Sequence, residues 1–330
     1  MTAFVVATQE QPGGTDEGRA RGQAQRNAVM LTETLALWVG LAALVLALDG
    51  VGRTGSDVAC GLAVLALGFW LHRIYMVGHE SGHRKLFRNR LANDLLGQLA
   101  VLPILVPMRV YRKIHVFHHA FNRRDHESAA LDTFVVRGDP NAPLTRAFYY
   151  GVWLVAVFGG GFFVHSLVSV VLFLALPMAV ARRVSPAFRG WTERDRWIAL
   201  GQLFAAVAFH VAIGACLGAR GWRLIGLYPL LVFAWIYSVL IYVYHYRTSY
   251  GRPPNHNVRS LRAPRVFSWW LLNFNEHATH HLRPSVPWFD LPRCRAQLPA
   301  KPRGEDDRVE TLGQAIRYLL RGPVLVRRTP

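Results

Sequence analysis

The chain has 330 residues, 52% of them hydrophobic, yet 38 Lys and Arg stand against 20 Asp and Glu for a net charge of +18. An ordinary soluble domain is excluded by that combination, which implies a membrane protein with a basic aqueous face. The arginines are scattered and accompany no nucleic-acid motif, and Cys60, Cys216 and Cys294 lie too far apart for a disulfide framework or an iron-sulfur cluster.

Residues 1–27 are polar, lack the apolar core of a signal peptide, and read as a disordered cytoplasmic lead. Ala28 to Leu48 is apolar apart from Glu33 and two threonines, long enough at about 1.5 Å per residue to cross a hydrocarbon core of roughly 30 Å. A glycine-rich turn follows, and Val58 to Val77 forms the returning crossing. Leu95 to Val110 is broken by Pro103 and Pro107 and reads as an interfacial or re-entrant piece. Trp197 to Leu217 and Leu224 to Val243 form a helical hairpin. Between them and the second crossing lies Ala147 to Ala181, apolar throughout and interrupted by Gly159-Gly160-Gly161. This stretch is expected in the membrane interface, with two abbreviated passes as the other arrangement, because an even number of crossings must separate histidine clusters that meet on one side. Beyond it, Val309, Leu312, Ile316 and Leu319 share one helical face within a basic tail, residues 299–330, expected to form a surface helix. The fold expected is all-α: a polytopic membrane domain over residues 28–298 with about four transmembrane helices and a helical cap. Arginine-rich runs gather on the cap side, which places the cap and both termini in the cytoplasm, on a plasma (inner) membrane.

Eight of the 14 histidines fall in three clusters: His79-Glu80-Ser81-Gly82-His83, His115-Val116-Phe117-His118-His119 and His277-Ala278-Thr279-His280-His281. Residues three and four apart share a helix face, so HxxxH aims two imidazoles one way and HxxHH three. An HxxHH arises by chance roughly 0.03 times in such a chain. Imidazole suits iron, copper, zinc and nickel, and one zinc takes about four ligands, so this many nitrogens serve two ions. Carboxylate-bridged di-iron proteins use Glu-x-x-His, a pattern not repeated here. A pair of irons held by histidine fits better.

From about Leu71 to Pro292 the sequence resembles the membrane fatty acid desaturases and hydroxylases with three histidine boxes. The likeness rests on Gly78-His79-Glu80-Ser81-Gly82-His83 with Leu86-Phe87 after it, and on Asn273 to His281 followed by Leu282-Arg283-Pro284-Ser285-Val286-Pro287-Trp288. Thr279 stands where family members often carry Glu. The resemblance implies His79, His83, His115, His118, His119, His277, His280 and His281 as iron ligands. His245, 32 residues before His277, resembles the position of an additional ligand. His256, within a motif resembling carotenoid-modifying relatives, is the other candidate. His72, His126 and His165 read as structural, and His210, mid-helix, as a neutral histidine bonded to a neighbouring helix. Asp125 and Glu127 are candidates to orient the second box, and Trp269, Trp270, Trp288 and Phe289 either line an acyl channel or form an interfacial belt.

Two non-haem irons with O₂ as co-substrate suit removal of hydrogen from an unactivated methylene, and the expected activity is desaturation of a fatty acyl chain of a lipid. Hydroxylation or ketolation of a lipid or carotenoid is the alternative. An intramembrane zinc protease also matches His79-Glu80-x-x-His83, but it leaves both HxxHH clusters without a role. No haem, flavin or iron-sulfur segment appears, so electrons are expected from outside, through a ferredoxin and its reductase docking on the Arg109–Lys113 and Arg252–Arg265 runs.

Overall fold

The computed structural model describes residues 16–51, 54–124, 131–251, 257–295 and 310–327. Helix α1 (Asp16–Asp49) begins inside the stretch expected to be a disordered lead. The reason is a tertiary anchor: Asn27 is fully buried, and its amide donates to the carbonyls of Lys85 and Leu86 at 2.8 and 2.9 Å. Helix α2 (Thr54–Gly82) packs along α1. Between them the guanidinium of Arg73 meets Glu33 at 3.2 Å, Thr34 Oγ1 at 3.1 Å and the Trp269 carbonyl, which accounts for the one carboxylate in the first apolar run.

Helix α3 (Arg90–Ala100) turns its polar side inward: Asn93 and Gln98 are buried while Leu91, Leu95 and Leu99 are exposed. That inversion suits a helix lying on an apolar medium. Pro103 falls in a 3₁₀ turn and Pro107 caps α4 (Met108–Phe121), so both prolines sit where a missing N–H costs nothing. A short strand, β1 (Thr133–Val136), follows.

Helices α5 (Pro143–Phe158) and α6 (Gly161–Ala175) meet at 84°. The surface segment favoured for Ala147 to Ala181 therefore gives way to two abbreviated helices. Gly160, at φ +75°, makes the turn with no room for a side chain, since a Cβ there would lie 3.0 Å from Trp235 N and 3.1 Å from Ala234 C. Ala234 precedes His245 by 11 residues, about 16 Å of helix, so the tip reaches roughly half the depth of a ~30 Å hydrocarbon core.

After α7 (Met178–Val184) come α8 (Glu193–Trp222), a π-turn at Arg223–Leu227, and α9 (Tyr228–His245). Gly218 has non-helical angles (φ 68°, ψ 176°), and the chain reverses there. Trp222 Nε1 donates to His210 Nδ1 at 3.3 Å, and a Cβ on Gly226 would lie 3.3 Å from the same nitrogen, whereas a straight helix would part residues 210 and 226 by about 24 Å. The other ring nitrogen, His210 Nε2, lies 3.1 Å from the Pro103 carbonyl, so this histidine is a partnered structural one. Helix α9 is apolar all round and accordingly central, with α2, α5 and α6 around it.

Short helices α10 (Arg265–Trp270), α11 (His277–Leu282) and α12 (Leu291–Arg295) build the cap. Helix α13 (Leu312–Leu319) lies on the protein rather than on lipid: Leu319 is buried and its carbonyl accepts from Trp153 Nε1 at 2.8 Å. The chain closes with β2 (Val324–Arg327), parallel to β1, a two-stranded departure from an otherwise all-α fold. Segments Ala20–Asp49, Gly55–Gly82 and Glu193–His245 are long and apolar enough to cross a membrane, the last as two passes folded at Gly218.

Helices in lipid associate through close packing at small residues. A Cβ on Gly68 would lie 2.4 Å from Val232 Cβ on α9, whereas one on Gly61 meets nothing within 4 Å. Gly68→Ala should lower the detergent unfolding temperature, at a cost of about 1–3 kcal/mol, while Gly61→Ala leaves it unchanged or raises it.

Candidate metal centre

The first box rides on the last turn of α2. His79 and His83 are one turn apart, joined by a His83 N–H to His79 O bond of 3.2 Å, and the helix stops where Arg84 takes φ +59°. His115, His118 and His119 lie on one side of α4, His245 is the last residue of α9, and His277, His280 and His281 lie on α11. Four helix ends thus bring nine imidazoles together.

They fall into two groups, His79, His83, His115 and His280, and His118, His245, His277 and His281, the ligand nitrogens of each within 4.8 Å of one another. His119 joins the first group, its Nε2 3.1 Å from the Nε2 atoms of both His115 and His280. His83 Nε2 lies 2.8 Å from His115 Nε2, and His277 Nε2 lies 2.9 Å from His245 Nε2. The run His83–His115–His119–His280 cannot be satisfied as hydrogen bonds. Each neutral ring nitrogen has one proton or one lone pair, yet His115 and His119 would each use theirs twice. His79 Nε2, both ring nitrogens of His281 and His118 Nε2 are buried without a hydrogen-bond partner. Imidazole–metal bonds of about 2.1 Å at right angles set neighbouring nitrogens about 3 Å apart. The donor set therefore fits two metal ions, one per group.

Burial keeps these rings neutral, which leaves the lone pair free to bind a cation. It pushes His118 down to about 4 and, with Lys85 and Arg112 adding, His83 also to about 4. His277, His280 and His281 are held well below the usual histidine range by burial and by one another's fields.

Rigid polar contacts hold the helix ends. Arg112 clasps Asp94 and the Gly82 and Ser81 carbonyls, while Asn93 bonds the Ser81 carbonyl at 3.0 Å, fixing the first box to α3 and α4. Glu80 Oε1 lies 3.4 Å from His79 Nδ1, and its Oε2 accepts from Trp288 N at 3.3 Å. The glutamate of the HExxH match is thus a brace to the third-box tail.

A five-residue segment, residues 257–261, binds the remaining parts. Asn257 donates to the Arg123 and Gly251 carbonyls at 3.1 and 2.8 Å and accepts from Asn122 and Thr248, both at 2.8 Å. Arg259 N bonds the Tyr244 carbonyl at 3.0 Å, Ser260 Oγ accepts from Ala278 N at 3.1 Å, and Leu261 N bonds the Asn275 carbonyl at 2.9 Å. Sequence reasoning singled out this neighbourhood for His256 and missed Asn257, whose only signal was the Asn-His-Asn run. His256, His126, Asp125 and Glu127 lie outside the described residues. Thr279, which replaces the family's common Glu, is fully buried with no partner for its Oγ1.

Against the histidines opens an apolar cavity of about 360 Å³ between α4, α6 and α9. His115, His118 and His277 form part of its wall, with Tyr75, Tyr111, Phe163, Tyr237 and Ile241 around it, and His165 also lines it. Trp269, Trp270 and Trp288 take no part: Trp269 packs on Trp70, Trp270 on Phe69, and Trp288 bonds Asn27 at 2.9 Å.

The fatty acid desaturase family model matches residues 55–309, and the chain belongs to that family. It is 27% identical over 240 residues to the sn-1 oleoyl-lipid 12-desaturase of Synechocystis sp., covering 68% of this chain and 64% of that one. It is 24% identical over 252 residues to the chloroplastic omega-6 fatty acid desaturase of Glycine max, 72% of this chain and 55% of the relative. With the sn-1 acyl-lipid omega-3 desaturase (ferredoxin) of Nostoc sp. it shares 24% identity over 181 residues, 54% and 47% of the two chains. The chain thus spans just under two thirds, or less, of the curated relatives it matches.

Replacing Asn257 by Leu strips donors from buried carbonyls, each costing roughly 1–3 kcal/mol when left bare. A marked drop in unfolding temperature is expected for Asn257→Leu, and a smaller one for Ser249→Ala, which removes the 3.1 Å bond to Asn257 Oδ1 and leaves the bonds of the Asn257 amide nitrogen in place.

Proposed function

We propose that this protein is an O₂-dependent desaturase that introduces a double bond into a fatty acyl chain of a lipid, using two non-haem irons. The observation that carries the proposal is the meeting of two all-imidazole groups with the end of an apolar cavity. His79, His83, His115, His119 and His280 would hold one iron, and His118, His245, His277 and His281 the other. A bound iron pair would supply the activation of O₂ needed to take hydrogen from an unactivated methylene.

The chain's own part is placement and exclusion. The cavity has room for roughly a dozen groups of water size, at ~30 Å³ each, so an extended run of methylenes fits, and its apolar wall gives no foothold to water. Fixed aromatic side chains on α4, α6 and α9 hold the substrate, and position in the slot selects the carbon that reacts. The desaturases named among the relatives favour loss of hydrogen over gain of oxygen. Overall, a CH₂–CH₂ unit, O₂, two electrons and two protons give CH=CH and two waters. The electrons must come from a carrier, and a ferredoxin with its reductase fits a basic cytoplasmic face. Within the expected docking runs Arg109 is engaged with Asp195, Arg112 with Asp94, Arg259 with the Tyr246 carbonyl and Arg262 with Glu310, and Arg252 lies outside the described residues, which leaves Lys113 and Arg265 as the residues to exchange. The reading places the cap on the cytoplasmic side of the plasma membrane, in accord with the basic runs.

Expression in a host, followed by mass spectrometry of its lipids, should reveal acyl chains lighter by two hydrogens; chains heavier by one oxygen would identify a hydroxylase instead. Purified protein should hold about two irons per chain, and His280→Ala or His281→Ala about one each; a single zinc would overturn the assignment. Lys113→Glu and Arg265→Glu should slow ferredoxin-supported turnover at low salt and lose that effect as salt screens it.

A further inference from the structure

A second cavity, of about 450 Å³, lies where the start of α5 meets the β1–β2 pair, and its wall carries Arg146, Arg247 and Arg321. Other arginines of this face are neutralised: Arg109, Arg112, Arg123 and Arg295 each meet an aspartate or glutamate. None of the three cavity arginines has such a partner among the described residues. The nearby carboxylates are turned elsewhere, Asp132 to Arg123 and to the backbone N–H of Arg247, Asp139 to the backbone N–H of Asn141. Arg247 has φ +49°, a costly backbone for a non-glycine residue, and its Nε is buried without an acceptor. Strain with an orphaned donor marks a place kept for a ligand. Three guanidinium groups without counter-charge match the oxygens of a phosphate, to which their planar forks bond in pairs.

Position identifies the bearer of that phosphate. On the opposite face of the same turn of α5, Leu144 is 86% and Phe148 65% exposed, as expected where a helix enters lipid at headgroup level. Leu131 lines the apolar cavity beside the histidines, and the next residue, Asp132, accepts the Arg247 N–H at 2.7 Å. The wall of the acyl slot is thus linked through one chain neighbour to the backbone of a pocket arginine. Tyr150 forms another wall, held by its hydroxyl to the Leu320 carbonyl at 2.9 Å and lying flat on Gly322, where no side chain could fit.

We propose that Arg146, Arg247 and Arg321 bind the phosphate of a phospholipid headgroup, so that the enzyme takes acyl chains carried on an anionic lipid. This rests on the desaturase reading for the use of the site, and its test is a binding measurement independent of turnover. Full-length protein in neutral detergent is titrated calorimetrically with dihexanoyl phosphatidylglycerol, with dihexanoylglycerol and with inorganic phosphate. Saturable, salt-sensitive binding of the first is expected, weaker by roughly tenfold or more in Arg146→Gln and in Arg321→Gln, with a smaller loss in Arg321→Lys, which keeps the charge without the fork. Thermal unfolding of each variant identifies any loss due to misfolding, and Arg321→Lys keeps the test usable if a glutamine variant fails to fold. Unchanged affinity in folded glutamine variants, or equal binding of the uncharged lipid, overturns the site. Inorganic phosphate binding as tightly as the lipid assigns the pocket to free phosphate and overturns the headgroup reading. Arginine-dependent binding in a protein that never desaturates lipid overturns the desaturase reading and leaves the site standing.

Discussion

The structure depends on holding nine imidazoles, several with ring nitrogens about 3 Å apart, in a largely buried cluster. Such an arrangement has little to recommend it energetically by itself. Lone pairs face lone pairs, and each buried nitrogen without a partner costs roughly 1–3 kcal/mol. Something outside the cluster has to impose the geometry. The imposing parts are the Arg112–Asp94 clasp, the buried Arg123–Asp132 pair and the segment through Asn257. An ion that binds only the assembled cluster would add its binding energy to folding by mass action.

The division of labour along the helices follows the solvent. In the apolar part, where burial of hydrocarbon gains little, α2 and α9 close on Gly68 against Val232 and α9 admits the α5–α6 tip at Gly160. At the rim polar contacts take over, among them the Arg112–Asp94 and Arg123–Asp132 pairs. Helix α9 belongs to both regimes: its middle packs against the bent α5–α6 pair, and its last residue, His245, enters the cluster.

How much of this was legible in the sequence depended on whether the signal was local. The boxes are one-turn motifs, so their residues and common face could be read directly, and the resemblance to the family pointed to His245 as a ninth nitrogen. Four long helices followed from runs of apolar residues. The α5–α6 pair was obscured because hydropathy counts residues and does not record direction; the glycines marked a break without saying which way the chain turned. The ordered start of α1 was hidden because Asn27 is anchored to Lys85 and Leu86, far along the chain. Asn257 and the three pocket arginines were missed for the same reason, since each owes its role to neighbours distant in sequence. The last residues read as a basic tail, and nothing local revealed that Val324–Arg327 would find Thr133–Val136.

That final pairing has a bearing on biogenesis. Residue 133 waits for residue 324, Trp153 for the carbonyl of Leu319 and Tyr246 for that of Gly322. Chains emerge and organise from the N-terminus, so the transmembrane bundle can be inserted long before its lid has a counterpart. Docking of α13 and β2 against α5, α9 and β1 consequently comes after the elements they cover have been made.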